Sequence, residues 1–281
     1  MHTIAIWNWK GGVAKTTSVL NVAACLAHAG YRVVAVDADP QGSLTGVAGI
    51  DTAEVPGAAS IYGAMLPGEV EQPVPVRDML LETPWGGALL PASEEAVNLE
   101  SDLDRAQDPY GSLRAALEQV GDGYDYAVVD CGAGTGALAY AVLWAADSLV
   151  VPVQLQSMAV APLRRLFETI ETFEQLVLGR EVPFRGVFGT FADATRHCAE
   201  NVAGLIDWLG DGFIRTMIPR TVRVADASLT GQGLVTYDPR SRAARAYVQL
   251  TATVLERAGL AADAARVREV YGVEVEEAAH G

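Results

Sequence analysis

The sequence predicts an α/β fold, in which a doubly wound, mostly parallel β-sheet is flanked by helices. Short apolar runs alternate with segments of helical periodicity along most of the 281 residues. A glycine-rich loop separates the first apolar run from the first helical segment, and aspartates end two later apolar runs, at Asp37 and Asp130. Because 50% of the residues are hydrophobic, the chain has enough apolar side chains for one continuous core.

The individual elements follow from this alternation. Residues 3–7 are predicted to be a buried strand, and residues 16–29 a helix, because their apolar side chains recur with helical spacing. The other predicted strands are residues 32–36, 87–91, 124–129, 148–153, 184–190 and 213–218. The other predicted helices are a short one at 59–66, an acidic one after residue 91, and residues 113–120, 136–146, 159–178, 198–209 and 241–258. Residues 51–83, rich in proline, glycine and acid, are expected to be mostly loop.

We expect a single domain at residues 1–260. Residues 261–281 are expected to add a short helix and an acidic C-terminal tail, and to fray. No apolar run approaches the ~20 residues needed to span a bilayer, and the N-terminus runs straight into a strand, so neither a membrane span nor a signal peptide is expected. The three cysteines show no metal-binding spacing, which favours free thiols in a reducing cytoplasm.

The glycine-rich loop WNWKGGVAKTT holds both lysines of the chain, Lys10 and Lys15. A lysine ammonium is a compact charge that fits inside a ring of backbone amides, whereas a guanidinium is too wide. A strand, a glycine-rich loop and a helix in this order are the structural context that a P-loop requires. There, backbone N–H groups surround phosphates, a lysine neutralises the β/γ oxygens and a threonine hydroxyl binds Mg²⁺. Lys15 and Thr16 stand at those two positions.

The pattern of this loop is a variant of the usual one. The motif G-x-x-x-x-G-K-[ST] fails at Trp9 and Ala14, whereas K-G-G-x-G-K-[ST]-[ST] matches residues 10–17 with Ala14 as its one departure. A glycine-rich β–α turn without a nucleotide is the alternative at this point. Because a β-carbon at positive φ costs roughly 1 kcal/mol or more, we expect a negative φ at Ala14 and positive φ values at Gly11 or Gly12.

Three aspartates are expected beside this loop, at the carboxyl edge of the sheet. Asp37 and Asp39 follow the strand at 32–36, and Asp130 follows the strand at 124–129. Ligands of open α/β sheets bind at this edge. Asp130 is therefore predicted to reach Mg²⁺ directly or through water, the alternative being that these acids only cap strand ends.

Together the motifs resemble those of the ParA/Soj type of deviant Walker A ATPases, which belong to the ParA/MinD superfamily of P-loop NTPases and partition plasmids and chromosomes. The resemblance covers roughly residues 2–258. It rests on NWKGGVAKTT, VVAVDADPQGSLT, YDYAVVDCGAGTG, ADSLVVPVQLQSMAV, FRGVFGTFADATRHCAENV and IRTMIPRTVRVADASLTGQGLVTYDPRSRAARAY, of which the last is the most discriminating. The departures are Ala14 for Gly, Thr221 for Asn, Asp226 for Glu, and CGAG after Asp130 in place of a Pro-Pro pair.

The resemblance implies a P-loop ATPase that binds ATP and Mg²⁺ and hydrolyses ATP as an ATP-dependent homodimer. The implied nucleotide-binding residues are Gly11, Gly12, Val13, Ala14, Lys15, Thr16, Thr17, Pro219 and Arg220. The implied metal-binding residues are Thr16, Asp37 and Asp130. Three residues are implied to be catalytic: Lys15, Lys10, which is expected to reach the phosphates of the other subunit, and Asp39, which is expected to position the attacking water.

The net charge of −15 is unfavourable for nucleic-acid binding, but the charge is unevenly distributed. Residues 51–130 hold sixteen acids and three arginines, whereas residues 215–245 hold six arginines and two acids. Since the resemblance implies nonspecific double-stranded DNA as a track, this basic stretch is expected to contact it. The expected DNA-binding residues are Arg220, Arg223, Arg240, Arg242 and Arg245. The alternative is that these arginines pair with carboxylates across a subunit contact or with the nucleotide.

The resemblance also implies an activating partner, either a ParB-like protein or a cargo adaptor, and a cytoplasmic, nucleoid-associated location. Three other functions stay open. A ParA-like ATPase that positions a protein cargo, such as a carboxysome or a chemoreceptor cluster, shares all of the motifs. A MinD-like membrane-cycling ATPase needs a basic, amphipathic C-terminal helix, whereas residues 261–281 end in acid. A metabolic enzyme on the same scaffold, such as an amide-forming ligase or a reductase ATPase, needs a further substrate pocket or cluster cysteines.

Overall fold

Eight strands form one sheet in the structure, a computed structural model that describes residues 1–157 and 160–274. The strands are β1 (His2–Ile6), β2 (Val33–Ala38), β3 (Leu81–Glu82), β4 (Ala88–Leu90), β5 (Tyr126–Cys131), β6 (Ser148–Gln154), β7 (Phe184–Thr190) and β8 (Phe213–Ile214). Their order across the sheet is β3-β4-β2-β5-β1-β6-β7-β8, and every neighbouring pair is parallel except β3 and β4. The predicted doubly wound, mostly parallel sheet is confirmed.

Helices cover both faces of the sheet. They are α1 (Lys15–His28), α2 (Ser43–Val47), α3 (Ile61–Met65), α4 (Leu99–Leu103), α5 (Ser112–Glu118), α6 (Ala137–Ala145), α7 (Val160–Phe173), α8 (Arg196–Leu209), α9 (Arg223–Leu229), α10 (Leu234–Tyr237), α11 (Arg242–Arg257) and α12 (Ala261–Tyr271). Buried side chains of α1, α2 and α9–α12 form the core on one face, and those of α3–α8 form the core on the other. The strands alternate between these two cores, so that Ile4 and Ile6 of β1 face one and Ala5 and Trp7 the other.

The register of the central strands brings the acidic residues to the glycine-rich loop. Ile6, the last residue of β1, lies opposite Asp130 of β5, and Asp37 of β2 lies opposite Asp130 from the other side. Because these three strands are parallel, their carboxyl ends meet at one edge of the sheet. The loop that follows β1 therefore emerges next to both aspartates.

The edges of the sheet differ most from the sequence-based expectation. The predicted strand at 213–218 is only Phe213–Ile214, because the chain then turns so that the Ile218 N–H donates to the Gly189 carbonyl at 2.9 Å. At the other edge, β3 forms an antiparallel hairpin with β4 that the sequence analysis did not predict. Both differences lie at edge strands, which have only one neighbouring strand. The apolar pattern of the sequence therefore determines the length and pairing of these strands less than it does in the centre of the sheet.

Two predicted helices also differ in detail. The helix expected at 159–178 is α7 followed by a π-helical turn at Glu174–Leu178, and its expected first residue lies outside the described residues. The acidic helix expected after residue 91 is a 3₁₀ turn at Glu94–Asn98 that continues into α4. The other predicted helices are present with boundaries shifted by a few residues, as is common at helix ends.

The last described helix, α12, packs against the domain. Ala264 and Val267 are fully buried, and Asp263 accepts hydrogen bonds from the hydroxyls of Tyr31, at 2.9 Å, and Tyr126. The prediction that the chain frays after residue 260 is wrong for this helix, because its apolar face and these polar contacts join it to β5 and to the turn after α1. The acidic tail predicted beyond it lies, from residue 275 onward, outside the described residues. None of the helices in the described parts of the chain is long and apolar enough to cross a bilayer.

Candidate nucleotide-binding site

A cavity of about 480 Å³ opens at the carboxyl edge of the sheet. Three loops enclose it: the one between β1 and α1, the one between β2 and α2, and the one between β5 and α6. Its lining residues are Gly11, Gly12, Ala14, Lys15, Thr16, Thr17, Asp39, Pro40, Gln41, Ser43, Gly132 and Ala133. The predicted P-loop residues and one of the three predicted acids therefore surround a single cavity.

The P-loop is tied to the sheet through Asn8, which is buried. Its side-chain amide donates to the Pro152 carbonyl at 2.8 Å, and its side-chain oxygen accepts the Lys10 N–H at 2.9 Å. The Lys15 ammonium donates to the Lys10 carbonyl at 3.1 Å, so it lies inside the curl of the loop. Burial lowers the pKa of Lys15, an effect that the nearby Asp130 opposes. By contrast, the side chain of Lys10, in the same loop, is exposed.

The conformation of Ala14 corrects the sequence-based expectation. Its φ is 66° and its ψ is 36°, which is the left-handed region, so the prediction of a negative φ is wrong. The prediction of a positive φ in the glycine pair is confirmed at Gly12, with φ of 73°. The physical reason is that α1 begins at Lys15, so the backbone must change direction at Ala14 to enter the helix. The Ala14 carbonyl already accepts the Ser18 N–H at 3.0 Å and the Ser18 hydroxyl at 2.7 Å.

Asp130 is fully buried, and neither of its carboxylate oxygens has a hydrogen-bond partner among the described residues. Burial, with a smaller effect from the charge of Asp37, raises the pKa of Asp130 well above its usual value; the Thr16 hydroxyl and the Lys15 ammonium offset this only in part. A buried carboxylate without a partner is costly. A cation, or water bound to one, would satisfy it, so these residues fit a metal ion held next to Thr16.

Asp37 is differently engaged. One of its oxygens accepts the Thr45 N–H at 2.7 Å and the Thr45 hydroxyl at 2.6 Å, and the other accepts the Asp39 N–H at 3.3 Å. Burial raises the pKa of Asp37 to about 6, and the two Thr45 hydrogen bonds work against that rise. Asp37 therefore holds the loop after β2 in place, and it lies beside Asp130 in the sheet register.

Asp39 is the acid that lines the cavity. It is half-buried, and one of its oxygens accepts the Gln41 N–H at 2.9 Å. The described residues hold no group of three or more His, Cys, Asp or Glu side chains arranged to bind a metal on their own. That agrees with Mg²⁺, which usually takes only one or two protein ligands and completes its shell with phosphate oxygens and water.

The predicted nucleotide ligands Pro219 and Arg220 lie apart from the P-loop residues. Pro219 forms a parallel bridge with Ala192, and the Arg220 N–H donates to the Ala192 carbonyl at 3.0 Å. These contacts join the loops that follow β7 and β8. Phe191, just before the bridge, has a φ of 56°, a strained value for a bulky side chain. Pro219 lines a second cavity, of about 650 Å³, rather than the one at the P-loop.

The predicted DNA-binding arginines are all exposed, but they do not form one group. Arg242 and Arg245 line the second cavity together with Arg215, and the guanidinium groups of these three have no hydrogen bond or ion pair within the described parts of the chain. Arg223 lies 3.9 Å from Asp238 of the same chain, an ion pair that the sequence analysis did not predict. Arg242 and Arg245, on α11, thus have exposed side chains without such a pair among the described residues.

Sequence reasoning missed several residues of the site. Thr45 clamps Asp37, and Ser43, Gln41, Gly132 and Ala133 line the cavity. The run DADPQGSLT contained a signal for Thr45, since a hydroxyl shortly after strand-end acids is a natural hydrogen-bond donor to them. The CGAG segment after Asp130 contained a signal for the other two, because small residues let backbone approach a ligand closely. All three cysteines are buried and free.

Comparisons with known proteins agree with this geometry. Residues 1–180 match the model of a family described as an AAA domain. The sporulation initiation inhibitor protein Soj of Bacillus subtilis is 35% identical over 253 residues, which cover 89% of this chain and 97% of that protein. The chromosome partitioning protein ParA of Caulobacter vibrioides is 31% identical over 92% of this chain and 95% of its own length.

Solved structures share the fold. A cobyrinic acid a,c-diamide synthase from Mycobacterium smegmatis, with bound ADP and magnesium, superposes with a TM-score of 0.76 at 29% identity over 91% of this chain and 94% of that one. The apo form of McdA from Cyanothece superposes with a TM-score of 0.76 at 21% identity, over 96% and 99% of the two chains. A putative plasmid partition protein of Borrelia burgdorferi bound to AMPPNP superposes with a TM-score of 0.71 at 20% identity, over 91% of this chain and 97% of that one.

Proposed function

The chain belongs to the ParA/Soj family of P-loop ATPases, and on that premise we propose that it is a partition ATPase. It dimerises on ATP, binds DNA without sequence preference, and is stimulated by a ParB-like partner to move plasmid or chromosomal DNA. The observation that carries the proposal is the P-loop cavity, where Lys15 lies buried inside the loop near Asp130, whose carboxylate has no hydrogen-bond partner among the described residues.

The residues of the cavity have different roles in nucleotide binding. The loop amides from Gly11 to Thr17 and the Lys15 ammonium hold the phosphates. Thr16 and Asp130 would hold Mg²⁺, with Asp37 in support, and the bound ion supplies neutralisation of the phosphate charge.

Two residues are assigned to hydrolysis itself. Asp39 lines the cavity and keeps one carboxylate oxygen for the attacking water, since the Gln41 N–H occupies the other. Lys10 is exposed at the rim, so its ammonium can reach the phosphates bound by a second subunit. A lysine acting in this way supplies charge stabilisation only once two subunits meet, which links turnover to dimerisation.

DNA binding is assigned first to two arginines near the start of α11, which have no ion pair among the described residues. Arg242 and Arg245 project from the first turn of α11, where the helix dipole also favours a phosphate. A dimer would present two such patches, and that doubling offsets the unfavourable net charge of −15. Arg220, Arg223 and Arg240 are exposed and complete the proposed surface.

A second candidate function is ATP-dependent amide formation, because the Mycobacterium smegmatis structures carry the name of such an enzyme. The second cavity, which Arg215 also lines, is large enough for a further substrate. A positioner of a protein cargo stays an alternative with the same ATPase site. These functions are separated by what stimulates hydrolysis: DNA with a centromere-binding protein, a carboxylic acid with an amide donor, or a cargo adaptor.

The proposed function is tested by comparing Lys15→Ala with Lys10→Ala. Lys15→Ala should abolish ATP binding, because this ammonium neutralises the phosphates of its own subunit. Lys10→Ala should keep most of the affinity but lose turnover, because its lysine acts across the dimer. Equilibrium binding of a fluorescent ATP analogue, sedimentation with ATP and phosphate release measure the three properties. Equal loss of ATP affinity in both variants would contradict these roles, and a wild type that hydrolyses no ATP with DNA present would refute the proposed function.

A further inference from the structure

A carboxylate from a distant part of the chain lies at the start of α6. Glu100, on α4, accepts the Leu138 N–H at 3.3 Å and lies close to the N–H of Ala137. Gly136, which precedes α6, has no side chain to cap the helix, and a β-carbon there would overlap the Glu100 carboxylate. Glu100 therefore takes the place of the missing cap. Its charge also suits the positive end of the helix dipole.

The segment that Glu100 holds ends at the P-loop cavity. Residues 132–136 connect β5 to α6 and contain three glycines, so the segment has little stiffness of its own. At its other end Gly132 packs closely on the loop after β2: a β-carbon at Gly132 would stand 3.1 Å from Asp39 Oδ1 and 3.2 Å from Pro40 Cδ. Gly132 and Ala133 also line the cavity itself.

Glu100 and Asp39 thus contact opposite ends of one short segment. A crevice of about 60 Å³ runs along it, lined by Glu100, Pro40 and Gly132 among others. Burial raises the pKa of Glu100, while the N–H groups of Leu138 and Ala137 favour its charged form. A half-buried carboxylate that accepts a backbone N–H restrains the position of that backbone.

We propose that Glu100 is a positioning residue for hydrolysis: it clamps residues 132–136 so that Gly132 keeps the Asp39 carboxylate directed at the phosphates. This inference rests on the proposed ATPase function. Without this contact, the glycine-rich segment can move away from Asp39, and the Asp39 side chain can then adopt other rotamers. A displacement of about 1 Å at a reacting group can cost on the order of 10²-fold in rate.

The first test follows the segment in the protein without nucleotide. Amide hydrogen exchange is measured for wild type, Glu100→Ala and Glu100→Gln, with Glu94→Gln as control, since Glu94 lies in the 3₁₀ turn that leads into α4 but is exposed. Glu100→Ala should speed exchange about tenfold, both at Ala137 and Leu138 and across 132–135. Glu100→Gln keeps an acceptor oxygen and should show a smaller change. Faster exchange confined to the first turn of α6 would reduce Glu100 to a helix cap and overturn the proposal.

The second test separates binding from chemistry. Glu100→Ala should lower kcat at least tenfold at a temperature well below unfolding, with KM for ATP within about twofold of wild type. Glu100→Gln should recover most of kcat, and Glu94→Gln should match wild type. In an Asp39→Ala background, Glu100→Ala should lower the residual turnover no further, since both act on one step. An unchanged kcat in Glu100→Ala, or additive losses, would overturn the proposal while the ATPase function stands. A wild type without turnover would refute the proposed function, and the exchange result would still decide whether Glu100 holds the segment.

Discussion

Replacing Ala14 with glycine tests whether the P-loop stores backbone strain. Ala14 adopts φ 66° and ψ 36°, where an L-residue with a β-carbon loses about 1–2 kcal/mol relative to right-handed helix. Glycine removes that cost, but it adds about 0.4–1 kcal/mol of chain entropy to the unfolded state. The balance predicts that Ala14→Gly stabilises the fold by about 1 kcal/mol.

Thermal unfolding and urea denaturation of the nucleotide-free protein measure this effect. For a chain of this size, about 1 kcal/mol corresponds to a rise in Tm of roughly 2–4 °C. A matched control is Ala48→Gly, because Ala48 is also half-buried at a helix end but has φ of −70°. There glycine only adds entropy to the unfolded state and should destabilise the protein by about 0.5–1 kcal/mol.

The two substitutions should therefore change the free energy of unfolding in opposite directions. ATP affinity of Ala14→Gly should stay close to that of wild type, because the glycine keeps the same backbone N–H directions. If Ala14→Gly unfolds at or below the wild-type temperature, as Ala48→Gly is expected to, then the left-handed conformation of Ala14 costs nothing and the argument from its β-carbon fails.

Three further predictions concern charge. The pKa of Asp37, raised by burial to about 6, lies above its unfolded value, so the folded protein binds more protons between about pH 4 and 6 and loses stability as pH rises through that window. Urea denaturation at pH 4.5 and 7.5 without metal should therefore show Asp37→Asn losing about 2 kcal/mol less stability than wild type between the two pH values; an equal loss would contradict the burial argument. Asp39→Ala should bind ATP and DNA but lower turnover by ~10²–10⁴, and near-normal phosphate release would make Asp39 structural. A triple Arg→Ala variant at positions 240, 242 and 245 should weaken ATP-dependent DNA binding and flatten its log–log salt dependence by about 0.9 per lost phosphate contact, so an unchanged slope would place the DNA surface elsewhere.

The sequence by itself determined the class of fold and most of the nucleotide site. The alternation of apolar runs with helical segments predicted the order of the central elements, because parallel strands that are buried on both faces read as apolar runs. The residues after each run predicted the site, because ligands of open α/β sheets bind at the carboxyl ends of the strands. The two lysines of one glycine loop and the strand-end acids also predicted charged residues of the candidate site, of which Lys15 and Asp39 line the cavity. These are local properties, readable from neighbours in the chain.

Tertiary structure alone decided the properties that depend on distant residues. The left-handed conformation of Ala14 could not be read from its residue type, because the start of α1 and the anchoring of the loop through Asn8 impose it. The separation of Pro219 from the P-loop cavity depends on how the loops after β7 and β8 pair. The contact of Glu100 with the start of α6 joins positions 38 residues apart, and no local pattern encodes such a contact, since only the packing of α4 against α6 brings the two groups together.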